Sequence, residues 1–284
     1  MPISFQSLSY IYDEGMPYAH TALDEIDLNI REGVITAIIG ETGSGKSTLV
    51  EHLNALLLPS KGKLEVLDHT IVAKQKNRNL KALRKQVGLV FQFSEYQLFE
   101  ETILKDVAFG PKNFGIPEAE AIARAKEALK LVGLDASYYE RSPLDLSGGQ
   151  KRRAAIAGIL AIDPGVIVLD EPTAGLDPSG AKEMINLFVS LNKKLKKTII
   201  LVSHDMEVVY MYADDTVILT KGKVSYSGST LDLFNDRVKL KRYDILEPQI
   251  VTLKYELMEK GFALRPEDRT LEMVVNRVAK EIHR

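Results

Sequence analysis

Cysteine and tryptophan are both absent from this chain of 284 residues. The lack of cysteine excludes disulfide bonds, thiol catalysis and zinc sites built from thiolates. No apolar run reaches the ~18 residues of a membrane-spanning helix, so a role at a membrane would require a partner. The net charge of -2 argues against a general nucleic-acid binder, because such proteins are basic. The hydrophobic share of 45% and the charged share of 27% are those of a globular protein with one large or two small domains.

A glycine-rich stretch at residues 40–48, with the sequence GETGSGKST, fits the phosphate-binding P-loop pattern G-x-x-x-x-G-K-[ST]. The apolar run 34–39 before it predicts a buried strand, and the leucines at 49, 53, 56 and 57 predict a helix after it. Glycines let backbone N–H groups close around phosphate oxygens, and the helix start adds a partial positive charge. The alternative, a glycine-rich turn before an ordinary helix, is disfavoured by this context.

The P-loop predicts ATP and Mg²⁺ as cofactors. Lys46 can reach the β- and γ-phosphates, and Ser47 can ligate Mg²⁺. The residues expected to contact the nucleotide are Gly40, Thr42, Gly43, Ser44, Gly45, Lys46, Ser47 and Thr48.

Two acids close a second apolar run, at residues 166–169. Asp170, at the end of a strand beside the P-loop strand, can hold Mg²⁺ through water. Glu171 is then placed to take a proton from an attacking water. In isolation such a pair would more often cap the next turn, but the P-loop favours the nucleotide role.

A second glycine-rich loop, LSGGQ at residues 146–150, is here named the signature loop. Ser147 is the expected cap of the helix that follows. Free N–H groups and the helix dipole would make the loop an anion site. A plain helix start with a flexible cap is the alternative.

The P-loop, the signature loop and the Asp170-Glu171 strand end, in this order, resemble the ATP-binding cassette (ABC) ATPases over roughly residues 3–230. The resemblance implies an α/β P-loop NTPase fold with a mixed core sheet, an antiparallel β subdomain and a helical subdomain at about 93–162. It also implies a nucleotide-sandwich dimer, in which Lys46 of one chain and Ser147 of the other hold the same ATP. The residues expected on the signature side of that ATP are Ser147, Gly148, Gly149, Gln150 and Asp177.

Further roles follow from the same resemblance. Gln92 is similar to the glutamine that contacts Mg²⁺ and the attacking water, and His204 to the switch histidine at the γ-phosphate. With Glu171 and Lys46, they form the expected catalytic set, and Ser47, Gln92 and Asp170 the expected metal ligands. Asp177 ends a loop similar to the one that crosses the dimer interface.

Three tyrosines are candidates for the residue that stacks on the adenine base. Tyr12 resembles the aromatic residue that stacks on adenine, and Tyr10 and Tyr18 are alternatives. Thr48 is expected to bond an α-phosphate oxygen.

The run VFQFSEYQLF at residues 90–99, continued by Thr102, Asp106 and Asn113, resembles the ATPases of energy-coupling factor importers for vitamins and metals. This implies three partners: a second ATPase, identical or paralogous, a transmembrane coupling subunit, and a substrate-binding membrane subunit. The chain would then lie peripherally on the cytoplasmic face of the membrane, with residues 92–106 receiving helices of the coupling subunit. The alternative for this stretch is packing between subdomains.

Competing functions are an ABC ATPase of another importer class, a soluble cassette ATPase acting on nucleic acid, and a module that binds nucleotide only to order an interface. The nucleic-acid class resembles chains with long coiled-coil insertions, zinc modules or fused cassettes, and the sequence has none of these.

The chain ends are predicted from periodicity. Residues 3–10 alternate as in an edge strand, and residues 22–30 follow as an antiparallel partner. Residues 231–284 are expected to form a helical extension with a dimerisation role, in which 237–242 is a basic loop and helices occupy 249–260 and 270–282. Leu271, Val274, Val275 and Val278 are expected to point inward. A DNA-reading unit is the alternative, disfavoured by the mixed charges.

Overall fold

The computed structural model describes residues 3–76 and 79–282, and this part of the chain contains ten strands and eleven α-helices. The strands are β1 (Ile3–Tyr12), β2 (His20–Ile30), β3 (Ile35–Ile39), β4 (Lys61–Val66), β5 (His69–Val72), β6 (Val87–Val90), β7 (Val166–Asp170), β8 (Thr198–Val202), β9 (Asp215–Thr220) and β10 (Lys223–Ser229). The helices are α1 (Lys46–Leu53), α2 (Leu80–Gln86), α3 (Ile103–Asn113), α4 (Glu118–Leu131), α5 (Gly148–Leu160), α6 (Pro178–Leu195), α7 (Met206–Tyr212), α8 (Thr230–Phe234), α9 (Arg237–Arg242), α10 (Gln249–Glu259) and α11 (Leu271–Ile282).

A six-stranded sheet with the order β10-β9-β3-β8-β7-β6 forms the centre of the molecule. Its strands from β9 to β6 are parallel, and β10 pairs antiparallel with β9. Strands β3, β6 and β8 are buried along their whole length, as expected where helices or a second sheet cover both faces. The predicted mixed α/β fold is confirmed.

The second sheet is antiparallel, with the order β2-β1-β4-β5. The prediction that the first strand lies at an edge is wrong, because β1 pairs with β2 on one side and with β4 on the other. The simple alternation also fails, because Ser7 has a φ of 44° and the register with β2 shifts between Phe5 and Leu8. This bulge turns Leu8 into the core, where it is fully buried.

Helices α3, α4 and α5 lie between β6 and β7 in the chain and pack against one another. One face of α4 packs inward, with Ala125 and Leu129 fully buried, and the chain turns at Gly133, which has a φ of 77°. The helix after the P-loop is shorter than predicted: α1 ends at Leu53, and Leu56 is half exposed.

Two predictions for the extension are wrong. Residues 237–242 form helix α9 rather than a loop, because the Asp236 carboxylate accepts hydrogen bonds from Val238 N at 2.9 Å and Lys239 N at 3.2 Å. On α11 only Val274 is fully buried, whereas Leu271 and Val275 are exposed.

The extension packs on α7, the helix that follows His204. The buried Lys254 Nζ donates to Tyr210 Oη at 2.9 Å and to Pro266 O at 3.1 Å. Gln249 N donates to Glu207 Oε1 at 2.5 Å. Apolar residues of α8 to α11 belong to the same buried cluster as the central sheet, so the extension shares the main core.

Helix α1 buries a neutral histidine. The His52 side chain is fully buried, its Nδ1 lies 2.7 Å from Thr48 O, and its Nε2 has no hydrogen-bond partner among residues 3–76 and 79–282. Burial lowers the pKa of His52 from 6.5 to about 4.

We expect the free energy of unfolding to fall as the pH drops from 6.5 to about 4, because only the unfolded state binds a proton at His52 in this window. The loss attributable to this residue is about 3 kcal/mol. Urea titrations across this pH range measure it, with His52→Gln as the variant that should show a shallower slope. Parallel slopes for the two proteins would contradict the prediction.

Candidate active site

The P-loop follows β3, and two of its glycines are required by close backbone contacts. Gly40 has a φ of 146°, and a Cβ there would lie 2.2 Å from Leu219 O on β9. Gly45 has a φ of 102°, and a Cβ there would lie 2.7 Å from Ala22 O on β2. Neighbouring strands of both sheets therefore fix the shape of the loop, and any other residue at these positions would deform it.

Lys46 lies over its own loop, where Nζ donates to Gly40 O at 2.7 Å and to Glu41 O at 2.8 Å. Burial lowers the pKa of Lys46, and the carboxylates of Glu171 and Asp170 oppose this shift. The ammonium group is thus held at the mouth of the loop, where a phosphate would sit.

Ser47 and Asp170 meet beside the P-loop. The Ser47 hydroxyl donates a hydrogen bond to the Asp170 carboxylate, whose pKa is raised chiefly by burial. The oxygens of Ser47 and Asp170 are the kind of ligands that Mg²⁺ prefers, and so is the amide oxygen of Gln92, whose Nε2 contacts the next residue, Glu171. These residues fit a magnesium ion that takes its remaining ligands from phosphate and water. In the described part of the chain no group of three acidic, histidine or cysteine side chains could hold a metal by itself.

Three predicted catalytic residues come together at the ends of β6, β7 and β8. These strands are parallel neighbours, so the residues that follow them meet at one edge of the sheet. Gln92 Nε2 donates to Glu171 Oε2 at 2.8 Å. His204 Nδ1 lies 3.5 Å from Glu171 Oε1, with 74% of its side chain exposed.

Glu171 is held in an uncommon conformation, with a φ of 49°. Its backbone N–H donates to Val202 O on β8 at 3.1 Å, which anchors it to the neighbouring strand. A non-glycine residue in this region costs about 1–3 kcal/mol, and such strain is concentrated at functional sites.

The signature loop caps α5 as predicted. Ser147 Oγ accepts a hydrogen bond from Gln150 N at 3.3 Å, and Gln150 Oε1 accepts one from Ser147 N at 3.0 Å. A Cβ at Gly148 would meet nothing within 4 Å, and one at Gly149 would meet only Leu176, at 3.9 Å. Contacts within the chain therefore do not require these glycines, and the open space above them remains available to a ligand or a second chain.

Asp177 directly precedes α6 but makes no side-chain cap. Its neighbour Leu176 is the residue closest to a Cβ at Gly149, so the loop before α6 and the signature loop lie on one surface.

Tyr12 lies beside the P-loop helix. Its hydroxyl lies 3.2 Å from Thr48 Oγ1, and its ring is partly exposed. Tyr10 packs edge-on between Tyr12 and His52, at centroid distances of 4.8 and 5.0 Å. Tyr18 is 69% exposed. The geometry favours Tyr12 over both alternatives as the adenine-stacking residue.

We expect Tyr12→Ala to raise the dissociation constant for ATP by about tenfold or more, because base–aromatic stacking is worth about 1–3 kcal/mol. Tyr12→Phe, which keeps the ring, should bind within about twofold of the wild type. Titration calorimetry with Tyr18→Ala as the control measures the effect. A large loss in the control and none in Tyr12→Ala would transfer the role to Tyr18.

Arg152, on α5, carries no local sequence signal that distinguishes it from its basic neighbours Lys151 and Arg153. In the structure Arg152 is only 3% exposed. Its guanidinium contacts two loops next to the catalytic residues, which no local pattern in the sequence could have revealed.

Comparison with known proteins identifies the family. The ABC transporter family matches residues 23–174, more than half of the chain. The chain belongs to this family. It is an ATPase built on one ATP-binding cassette.

Its relatives belong to a narrower class of ABC ATPase. The energy-coupling factor transporter ATP-binding protein EcfA2 of Enterococcus faecalis is 46% identical over 99% of this chain and 98% of its own length. The protein of the same name from Spiroplasma kunkelii is 49% identical over 97% of this chain and 91% of its own length. The chain is thus an ATPase motor subunit of the energy-coupling factor type, and the predicted resemblance is confirmed.

Solved structures agree with this ABC ATPase fold. The structure of cbiO1 from Clostridium perfringens, part of an ABC transporter complex, superposes with a TM-score of 0.72 and 36% identity, covering 89% of this chain and 98% of that one. A dimeric ATP-binding cassette in a post-hydrolysis state with ADP and Pi gives a TM-score of 0.72 and 30% identity, covering 80% and 98%.

Proposed function

We propose that this ATPase hydrolyses Mg-ATP in a nucleotide-sandwich dimer and drives uptake of a vitamin or other micronutrient through membrane partners. The observation that carries the proposal is the meeting of Gln92, Glu171 and His204 at the sheet edge that also holds the P-loop. In this arrangement Ser47, Asp170 and Gln92 would hold Mg²⁺, which would neutralise charge on the phosphates.

Glu171 is the proposed general base, because its carboxylate can accept the proton of a water that attacks the γ-phosphate. Gln92 and His204 flank this carboxylate and fix its orientation. Lys46 moves from the two loop carbonyls to the β- and γ-phosphates when ATP binds.

The second half of each ATP site comes from another chain. The signature loop presents its two glycines to open space, and helix α5 begins there, so an anion from outside the chain fits this surface. We propose that Ser147, Gly148, Gly149, Gln150 and Asp177 contact the nucleotide held by the P-loop of a second ATPase, either a copy or a paralogue.

The extension at residues 231–284 is proposed to support the same dimer, beside a nucleotide-binding domain at 1–230. Leu271, Val275 and Ile282 lie exposed on α11 and form an apolar surface that nothing in the described chain covers. A second ATPase with the same extension could bury it.

The membrane partners are proposed to bind at the 92–106 segment. Phe93, Tyr96 and Phe99 are exposed there, with 83% of Tyr96 accessible, and the ring of Phe99 packs on the exposed Phe109 of α3. The Asp106 carboxylate accepts hydrogen bonds at 2.8 Å from Phe99 N and from Glu100 N, which fixes this loop. Exposed aromatic patches of this kind mark protein interfaces.

The proposed occupant is the transmembrane coupling subunit, itself bound to a substrate-binding membrane subunit. The described chain has no helix long and apolar enough to cross a membrane. We propose a peripheral position on the cytoplasmic face, held by these partners.

Co-extraction tests the partners. The tagged chain should purify from detergent-solubilised membranes with a transmembrane subunit, and the double variant Tyr96→Ala, Phe99→Ala should lose most of it. Leu144→Ala, which also removes an exposed side chain from the region between β6 and β7, is the control and should retain it. Purification with nucleic acid instead of a membrane protein would overturn the proposal.

A further inference from the structure

The buried Arg152 joins three separate parts of the ATPase. It lies in α5, the helix that the signature loop begins. Its Nη2 donates to Gln92 O at 2.5 Å, and its Nε donates to Glu95 Oε2 at 3.3 Å, in the segment after β6. Its Nη1 donates to Ala174 O and to Pro172 O in the loop that follows Glu171.

The guanidinium suits this position for a specific reason. It carries five donors in a rigid planar fork and stays protonated, so one side chain can bind two loops and a carboxylate at once. Glu95 is largely buried beside it and supplies the compensating charge. A lysine would keep the charge but would concentrate its donors at one point, and could not bridge all of these partners.

The elements that Arg152 joins contact two different nucleotides in the proposed sandwich dimer. The signature loop faces the ATP of the second chain, whereas Gln92 and Glu171 act on the ATP of their own chain. Arg152 connects these elements inside one polypeptide, and Glu95 lies between Phe93 and Tyr96 in the segment proposed to receive the membrane partner.

We propose that Arg152 is a positioning residue that keeps Gln92 and Glu171 aligned with the signature helix, so that contact at one ATP site sets the catalytic geometry at the other. This inference rests on the proposed roles of Gln92, Glu171 and the signature loop. Arg152 itself touches none of the reacting atoms. It acts through the backbone carbonyl of Gln92 and through the carbonyls of Pro172 and Ala174, which follow Glu171.

The decisive variant is Arg152→Lys in the whole chain. Its kcat is measured at protein concentrations high enough that the turnover per chain does not change on dilution. We expect kcat to fall by at least about tenfold, because a displacement of about 1 Å can cost about 100-fold. ATP should still bind at one molecule per chain with a dissociation constant within about twofold of the wild type, since the P-loop is not touched. Glu95→Gln, which removes only the charge, should show a smaller fall.

Arg124→Lys is the matched control. Arg124 also pairs with a glutamate, Glu120, but on the exposed surface of α4 at 2.6 Å, and its variant should keep wild-type kcat. An unchanged kcat in Arg152→Lys would overturn the proposal. So would a fall in kcat matched by an equal fall in the number of ATP molecules bound, which indicates a folding role.

A double variant separates positioning from an independent contribution. Because Arg152 is proposed to act partly through Gln92, Arg152→Lys should lower kcat by a smaller factor in Gln92→Ala than in the wild type, whereas independent effects would multiply. Multiplied effects would overturn the proposal. If Gln92→Ala alone keeps full turnover, the assigned role of Gln92 fails, and the kcat of Arg152→Lys still decides the role of Arg152.

Discussion

Replacing Glu171 with glutamine should lower kcat by about 100-fold to 10,000-fold, the range that a general base contributes. The amide cannot accept a proton from water, although it has nearly the same shape and can still accept the hydrogen bond from Gln92 Nε2. ATP binding should persist, because Lys46 and the P-loop are unchanged. With hydrolysis blocked, the closed dimer should accumulate in Mg-ATP.

Three measurements check this expectation: steady-state turnover, ATP affinity, and size-exclusion chromatography with Mg-ATP. Glu120→Gln is the control, because Glu120 is an exposed carboxylate paired with Arg124 on α4. The control should hydrolyse ATP at the wild-type rate. Turnover of Glu171→Gln within about twofold of the wild type would remove Glu171 from the role of base.

The second large effect is expected at Gly148, where stability and activity should move in opposite directions. Gly148 is the first residue of α5, and a Cβ there meets nothing within 4 Å. In Gly148→Asp the new carboxylate lies at the helix N-terminus and should stabilise the isolated chain by about 0.3–1 kcal/mol. The same charge should face the triphosphate of the second chain, where repulsion at about 4 Å costs about 4 kcal/mol.

Turnover of Gly148→Asp should therefore fall by about 100-fold or more, with no loss of thermal stability. Gly148→Asn is the matched control: it adds almost the same volume without the charge, so it should retain more activity. Melting curves of the isolated chain and steady-state turnover give the two readouts. Equal turnover in the two variants would show that no phosphate faces the signature loop.

Part of the site could be predicted from the sequence because its chemistry is local. The P-loop needs Gly40, Gly45 and Lys46 within a single turn, since backbone N–H groups must approach a phosphate without a Cβ between them. The strand ending in Asp170 could be recognised in the same way. Each of these patterns is contiguous, and its residue types follow from the ligand.

Other features depend on segments that are distant in sequence. The bulge at Ser7 interrupts the alternation of residues 3–10, and no periodicity predicts it. The edge-strand prediction for β1 fails because β4, which is distant in sequence, pairs with it. Leu271 and Val275 have the spacing of a buried face, but α11 packs through Val274 and leaves them exposed. Periodicity identifies an apolar face and does not say whether this chain or another one covers it.

The sequence by itself determined the reaction class, because an ATP-binding P-loop, a signature loop and an acid-ended strand require specific residues at fixed short spacings. Only the tertiary structure decided how these parts work together. Parallel pairing of β6, β7 and β8 brings Gln92, Glu171 and His204 to one edge. The role of Arg152 depends on contacts across 57 to 60 residues of chain toward Gln92 and Glu95, and no local pattern encodes such contacts.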